Sequence, residues 1–95
     1  MLNKLIEQLK NYDKVWKEFN YLCKKNNYHE FFQQIDKYLK LKNIYILHDY
    51  HPDTLKVEYI VYYKGEIIDM NDELNIFANP YWHIIIDCFK FLSEQ

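Results

Sequence analysis

Two sets of side chains alternate along residues 55–64, and this alternation constrains the fold more than any other feature of the chain. The first set is apolar and contains Leu55, Val57, Tyr59, Val61 and Tyr63. The second set carries the charges and contains Lys56, Glu58, Ile60, Tyr62 and Lys64. Because successive side chains of a strand point to opposite faces, a period of two over ten residues predicts a half-buried β-strand.

The segments on both sides of this strand predict two more strands. Residues 44–48 are rich in β-branched and aromatic side chains, which favour a strand. Residues 50–54 contain Pro and Asp and predict a turn. The only glycine of the chain, Gly65, predicts a tight turn into a third strand at 66–70. We therefore expect a three-stranded antiparallel meander over about 43–70.

Apolar side chains recur three or four residues apart on both sides of the meander. This spacing predicts helices at 2–25 and 28–41 before it and at 80–93 after it. Asn79 and Pro80 are typical of an N-cap and a first helical residue. The order ααβββα predicts an α+β fold in which the helices pack on one face of the sheet. A chain of 95 residues predicts a single domain, 1–95.

Two finer predictions follow from the same pattern. The polar stretch 71–75 is expected to connect the third strand to the last helix, with one helical turn at most. The core is expected to contain side chains from every helix and from the central strand, namely Leu9, Trp16, Phe32, Ile35, Val57, Tyr59, Val61, Ile85 and Phe89.

Composition excludes several classes of protein. The longest strictly apolar run, 84–86, is far shorter than the roughly 20 residues that span a bilayer, so we expect no membrane partner. The first residues lack an apolar core and a cleavage site, so we expect no signal peptide. The two cysteines are too few for a disulfide scaffold, which favours free thiols and a cytoplasmic location. The chain contains no Arg, which excludes bidentate guanidinium contacts.

The charges divide the chain into a basic part and an acidic part. Residues 1–42 carry nine Lys and five acidic residues, and residues 43–95 carry three Lys and nine acidic residues. The local balances are therefore +4 and −6, although the formal net charge is only −2. Such a division bears on binding partners rather than on the fold.

Three groups of residues contain side chains that occur in metal sites or active sites. His48 and His51, with Asp49 and Asp53 nearby, contain ligand types that bind Zn²⁺, although a solvated turn is the simpler interpretation. Cys88 follows His83 by five residues, a spacing that separates the two side chains on a helix and favours a buried thiol. Within a strand, Glu58 is expected to be a solvated cross-strand partner. We therefore expect no catalytic residue, no metal ligand and no cofactor.

The predicted binding surface combines apolar and acidic side chains. Ten Tyr and two Trp are many for one small core, and Tyr is favoured at interfaces. Ile60 and Tyr62 alternate away from the helices and are expected to be solvated. Four acidic residues follow within eight positions without an intervening Lys. The predicted interface therefore contains Ile60, Tyr62, Glu66, Asp69, Asp72 and Glu73.

These observations favour a non-catalytic protein-binding module that uses an acidic, tyrosine-rich surface against a basic partner protein. A stoichiometric inhibitor, an immunity protein or an adaptor would fit. The AT-rich codons of Lys, Ile, Tyr and Asn indicate a host or a mobile element with AT-rich DNA, and together with the small size and the acidic face they fit an inhibitor encoded by a phage or mobile element. Two alternatives remain: a nucleic-acid-associated regulator that uses the Lys-rich helices, and a small metal-dependent enzyme at His48 and His51. Self-association into a homo-oligomer is also open.

Overall fold

The computed structural model describes residues 2–23, 30–75 and 80–95, and for residues 2, 69–75 and 80 the description is confined to the backbone. These residues form four helices and three strands in the order αααβββα. The elements are α1 (Leu2–Lys10), α2 (Asp13–Leu22), α3 (Phe31–Leu41), β1 (Ile44–His51), β2 (Lys56–Tyr63), β3 (Glu66–Asn75) and α4 (Pro80–Ser93). The predicted α+β class is confirmed, with an antiparallel sheet of order β1-β2-β3 whose helices pack on one face.

The first predicted helix is in fact two helices. The amides of Asn11 and Tyr12 bond to carbonyls three residues back, which tightens the end of α1, and α2 begins at Asp13. An acidic residue in the first turn suits the positive end of the new helix. Because of this break, the residues of α2 that face the core differ from those expected for one continuous helix. Val15 and Phe19 are buried, whereas Trp16 is only half-buried.

Two of the other helix boundaries agree with the prediction, since α3 ends at Leu41 and α4 runs from Pro80 to Ser93. Two differ by three residues: α2 ends at Leu22, with Cys23 as its C-cap, rather than at 25, and α3 begins at Phe31 rather than at 28. The predicted N-cap Asn79 and the basic stop signal at 24–25 lie outside the described residues.

The strand β3 is longer than predicted. It runs from Glu66 to Asn75, and its backbone pairs with β2 as far as the pair Lys56–Asn75. The expectation that residues 71–75 form a connector is therefore wrong. Polar residues are tolerated there because an edge strand needs only its backbone groups paired on one side. The turn before β3 contains Lys64 and Gly65 with φ of 52° and 84°, the positive values that favoured two-residue hairpin turns require.

The strand β2 is one residue shorter at its start than the alternation suggested. Leu55 belongs to the turn after β1, has a φ of 53° and is 47% exposed. It therefore does not share the buried face of Val57, Tyr59 and Val61. A left-handed backbone at a bulky residue is uncommon, so this turn is held in an unfavourable conformation.

The core lies between the sheet and the helices and is centred on aromatic rings. Phe19 is fully buried, and its ring centroid lies 5.5–6.1 Å from those of Phe31, Tyr38 and Phe89. Most of the predicted core residues are buried, namely Leu9, Ile35, Val57, Tyr59, Val61, Ile85 and Phe89. Trp16 and Phe32 pack only at the margin of this core, which corrects the prediction for those two.

One polar contact joins the buried core to the surface. The hydroxyl of Tyr38, a fully buried side chain, donates a 2.7 Å hydrogen bond to Glu18 Oε1, and Lys42 Nζ lies 2.9 Å from the same oxygen. The hydrogen bonds from Tyr38 and Lys42 lower the pKa of the Glu18 carboxyl. Burial, followed by the hydrogen bond to Glu18, raises the pKa of Tyr38. The pair therefore satisfies a polar group that would otherwise be buried alone.

Candidate functional site

The face of the sheet opposite the helices carries a row of apolar side chains across all three strands. The register pairs Tyr45 with Tyr62, Leu47 with Ile60, and Tyr62 with Ile67. We call these five side chains the outer apolar stripe. Tyr45 and Ile67 are 52% and 55% exposed, and Leu47 is 38% exposed. A contiguous exposed apolar patch, unlike scattered single residues, is typical of an interaction site.

The two apolar residues predicted from the sequence, Ile60 and Tyr62, lie at the centre of this stripe. Both are half-buried rather than solvated, because they belong to the central strand and have neighbours on either side. The most exposed positions are on the flanking strands, at Tyr45, Leu47 and Ile67. Tyr45 and Leu47 were not predicted, because residues 44–47 are apolar throughout and show no alternation from which a face can be assigned.

The predicted acidic residues all fall within one edge strand. Glu66 is exposed at the start of β3, and Asp69, Asp72 and Glu73 follow in the backbone of the same strand. The side chains of the last three lie outside the described part. The strand β3 contains four acidic residues and no Lys. This edge strand therefore has a negative formal charge, although Glu66 and Asp69 pair in the register with Tyr63 and Val61 of the helical face rather than with the outer apolar stripe.

The two histidines of β1 lie on opposite faces of the sheet. The ring of His48 packs on the helical side, 5.0 Å from the ring of Tyr59 and 5.3 Å from that of Tyr81. His51 instead lies on the outer side beside Asp49 and Glu58. A spacing of three residues in a strand reverses the side-chain direction, so the hypothesis of a shared His48/His51 metal site is wrong.

The carboxylates beside His51 form a different cluster. Its Nε2 lies 3.7 Å from Asp49 Oδ2 and 4.0 Å from Glu58 Oε2. One ligand-type atom from each of these three residues lies within 4.8 Å of the other two. The cluster is at the end of the outer face, where β1 and β2 meet their connecting turn. Asp53, included in the sequence-based hypothesis, borders the adjacent depression but is not part of this group.

Neither cysteine has the surroundings of a reactive nucleophile. Cys23 and Cys88 are free thiols and are 3% and 2% exposed. Burial raises the pKa of Cys23, which disfavours the thiolate that attacks substrates. His83, the base considered for Cys88, is exposed at the surface of α4.

Two lysines of the basic helices already contact acidic side chains. Lys17 Nζ lies 3.0 Å from Asp13 Oδ2 within α2, and Lys42 lies against Glu18. These ion pairs reduce the positive charge that the helical side presents to a polyanion. Because affinity for nucleic acid depends on the number of phosphates that cations neutralise, this side is a weaker candidate surface.

Among the described residues, no helix combines the length and the apolar character needed to cross a membrane. Comparison of the chain with protein-family models, with curated proteins and with solved structures gave no match.

Proposed function

We propose that this chain is a non-catalytic protein-binding module that docks through the outer apolar stripe onto a protein with a basic surface. The observation that carries the proposal is the exposure of Tyr45, Leu47 and Ile67 on a face opposite the helices. These side chains contribute little to the folding of an isolated chain, because they stay in contact with water. In a complex, aromatic and aliphatic side chains of this kind become the buried anchors of an interface.

Charge complementarity supports a basic partner. The edge strand β3 carries Glu66, Asp69, Asp72 and Glu73, and residues 43–95 as a whole have a formal balance of −6. Acidic residues on an edge strand next to a docking face steer a positively charged partner and raise the association rate more than the final affinity. A small stoichiometric inhibitor, an immunity protein or an adaptor, acting in the cytoplasm of a cell or encoded by a phage or mobile element, has these properties.

The docking surface is tested by replacing its two most exposed members. The double variant Tyr45→Ser/Ile67→Ser is expected to weaken partner binding by about 30-fold or more, because loss of even one hot-spot anchor costs about 2 kcal/mol or more. The matched control is Tyr21→Ser/Leu41→Ser, whose residues are 82% and 59% exposed on α2 and α3. Affinity capture from the native host, followed by titration of the captured protein against all three chains, gives the comparison.

The location of the docking surface is checked independently by photo-crosslinking from position 45. Position 21 is the control. We expect a crosslink to a basic protein from position 45 alone and a slower association at higher ionic strength. Loss of binding in the Tyr21/Leu41 variant instead would contradict the proposal and favour the Lys-rich helices. If position 45 crosslinks only to a second copy of this chain, the outer apolar stripe is a homo-oligomer interface and the proposal of a basic partner is wrong.

A further inference from the structure

The cluster at the end of the outer face combines one imidazole with two carboxylates. Asp49 and His51 are two residues apart on β1, so their side chains leave the strand on the same side. Glu58 lies directly opposite Asp49 on β2. All three positions are fixed by the antiparallel register of two paired strands rather than by a loop. The convergence of the three ligand-type atoms is therefore a property of the sheet itself.

The two carboxylates of this cluster repel each other. Like charges directly opposite each other on neighbouring strands destabilise a sheet. Asp49 and Glu58 form such a pair, and the imidazole of His51 lies within 4.0 Å of both carboxylates. A divalent cation between the two carboxylates would replace their repulsion by two attractive contacts, with His51 Nε2 as a third ligand.

The geometry points to a divalent cation site, and we propose that Asp49, His51 and Glu58 bind Zn²⁺. Nitrogen and oxygen ligands lie about 2.0–2.2 Å from zinc, which places tetrahedral ligand atoms about 3.3–3.6 Å from one another. The Nε2 separations of 3.7 and 4.0 Å are close to that range, and the two carboxylates have ligand atoms within 4.8 Å of each other. His51, Asp49 and Glu58 have side chains that are 46%, 63% and 26% exposed. Small side-chain rotations can therefore bring the ligand atoms to the separations that zinc requires.

The donor set selects among cations. Imidazole suits zinc and related transition metals, whereas Mg²⁺ and Ca²⁺ prefer oxygen ligands alone. Three protein ligands leave a fourth position for water or another donor. An open depression of about 340 Å³ adjoins His51 and Glu58 and provides room for it, with Asp53 and Thr54 in its lining.

Lys56 is expected to lower the affinity of this site for Zn²⁺. It lies opposite His51 in the register and lines the same depression. Its ammonium group reduces the negative charge that the two carboxylates offer to a cation. We therefore expect weaker binding than at a closed structural zinc site with four protein ligands.

The test is calorimetric titration of zinc chloride into the untagged, metal-free full chain, together with the melting temperature measured with and without Zn²⁺. We expect one Zn²⁺ per chain and a higher melting temperature in its presence. The variants His51→Ala and Glu58→Gln are expected to weaken the affinity by about tenfold or more each. The matched control, His83→Ala, removes an exposed histidine of α4 and is expected to leave the affinity unchanged.

Three results would overturn the proposal. The first is no uptake of Zn²⁺ by the wild-type chain up to millimolar concentration. The second is undiminished uptake by folded His51→Ala and Glu58→Gln chains, with folding checked by circular dichroism. The third is a thiolate-to-metal charge-transfer band on addition of Co²⁺, which would place the metal on Cys23 or Cys88. Because the titration uses the isolated chain, its outcome is independent of the docking proposal.

Discussion

Both faces of the sheet carry apolar side chains, but the surroundings of these side chains differ. On the inner face, Val57, Tyr59 and Val61 are between 2% and 7% exposed and pack against the helices. On the outer face, Tyr45, Leu47 and Ile67 are between 38% and 55% exposed. Burial of apolar area stabilises the fold only where another element removes the water. The inner face therefore accounts for stability, whereas the outer face has apolar area available for binding.

Adjacent residues of β1 provide the most direct test of this comparison. Ile46 faces the helices and is 8% exposed, whereas Leu47 faces outward and is 38% exposed. Ile46→Ala is expected to lower the free energy of unfolding by about 2–5 kcal/mol. Leu47→Ala is expected to cost less than about 1 kcal/mol, since only cross-strand contacts are lost. Urea unfolding of both variants measures the difference.

A cost for Leu47→Ala as large as that for Ile46→Ala would contradict the comparison. It would mean that the outer face is covered in solution. Repeating the unfolding at several protein concentrations would then show whether a second copy of the chain covers it, because dimer stability depends on concentration.

The hydrogen bond from Tyr38 to Glu18 is expected to make a smaller, pH-dependent contribution to the free energy of unfolding. Tyr38→Phe removes the hydrogen bond to Glu18 and is expected to cost about 1 kcal/mol at pH 7. The pKa of Glu18 is lowered in the folded chain, so its contribution is present above the pKa of about 4.3 of an unfolded Glu and is lost as the pH falls through the lower folded value.

The difference between the wild-type chain and Tyr38→Phe should therefore shrink between pH 7 and pH 3 in urea unfolding. Tyr21→Phe is the matched control, because Tyr21 is 82% exposed, and it should change stability at neither pH. An equal cost of Tyr38→Phe at both pH values would show that the ionised form of Glu18 does not contribute.

The smallest effect is expected at Leu55, where sequence and structure disagree. If Leu55 belonged to the buried face of β2, its replacement by Gly would cost several kcal/mol. In the structure it is an exposed turn residue with a φ of 53°. Leu55→Gly is therefore expected to leave the free energy of unfolding unchanged or raise it by up to about 1 kcal/mol, because Gly adopts this backbone without strain. If Leu55→Gly lowers the melting temperature by more than a few degrees, Leu55 belongs to the buried face of β2, as the alternation predicted.

The sequence predicted the parts of the fold that have a strong local signal. Alternation identified β2, and Pro80 marked the start of α4. The candidate site was predicted only in its centre, at Ile60 and Tyr62, because β2 alone shows a clear period of two. Tyr45 and Leu47 belong to a strand with a continuous apolar run, and the faces of such a strand can be assigned only from its neighbour. The proposed zinc ligands were missed as a set, since Glu58 joins Asp49 and His51 through strand pairing rather than through spacing along the chain.

By itself, the sequence determined the α+β class, the antiparallel meander and the division into a basic and an acidic part, because composition and local periodicity specify these properties. Only the tertiary structure decided which apolar residues are covered, where the first helix breaks, how far β3 extends and which ligand-type side chains meet. Each of these depends on contacts between different elements of the fold, such as the register that places Glu58 of β2 opposite Asp49 of β1. That register depends on the conformation of the turn at 52–55 and on which face of both strands is buried, and the alternation in β2 alone specifies neither.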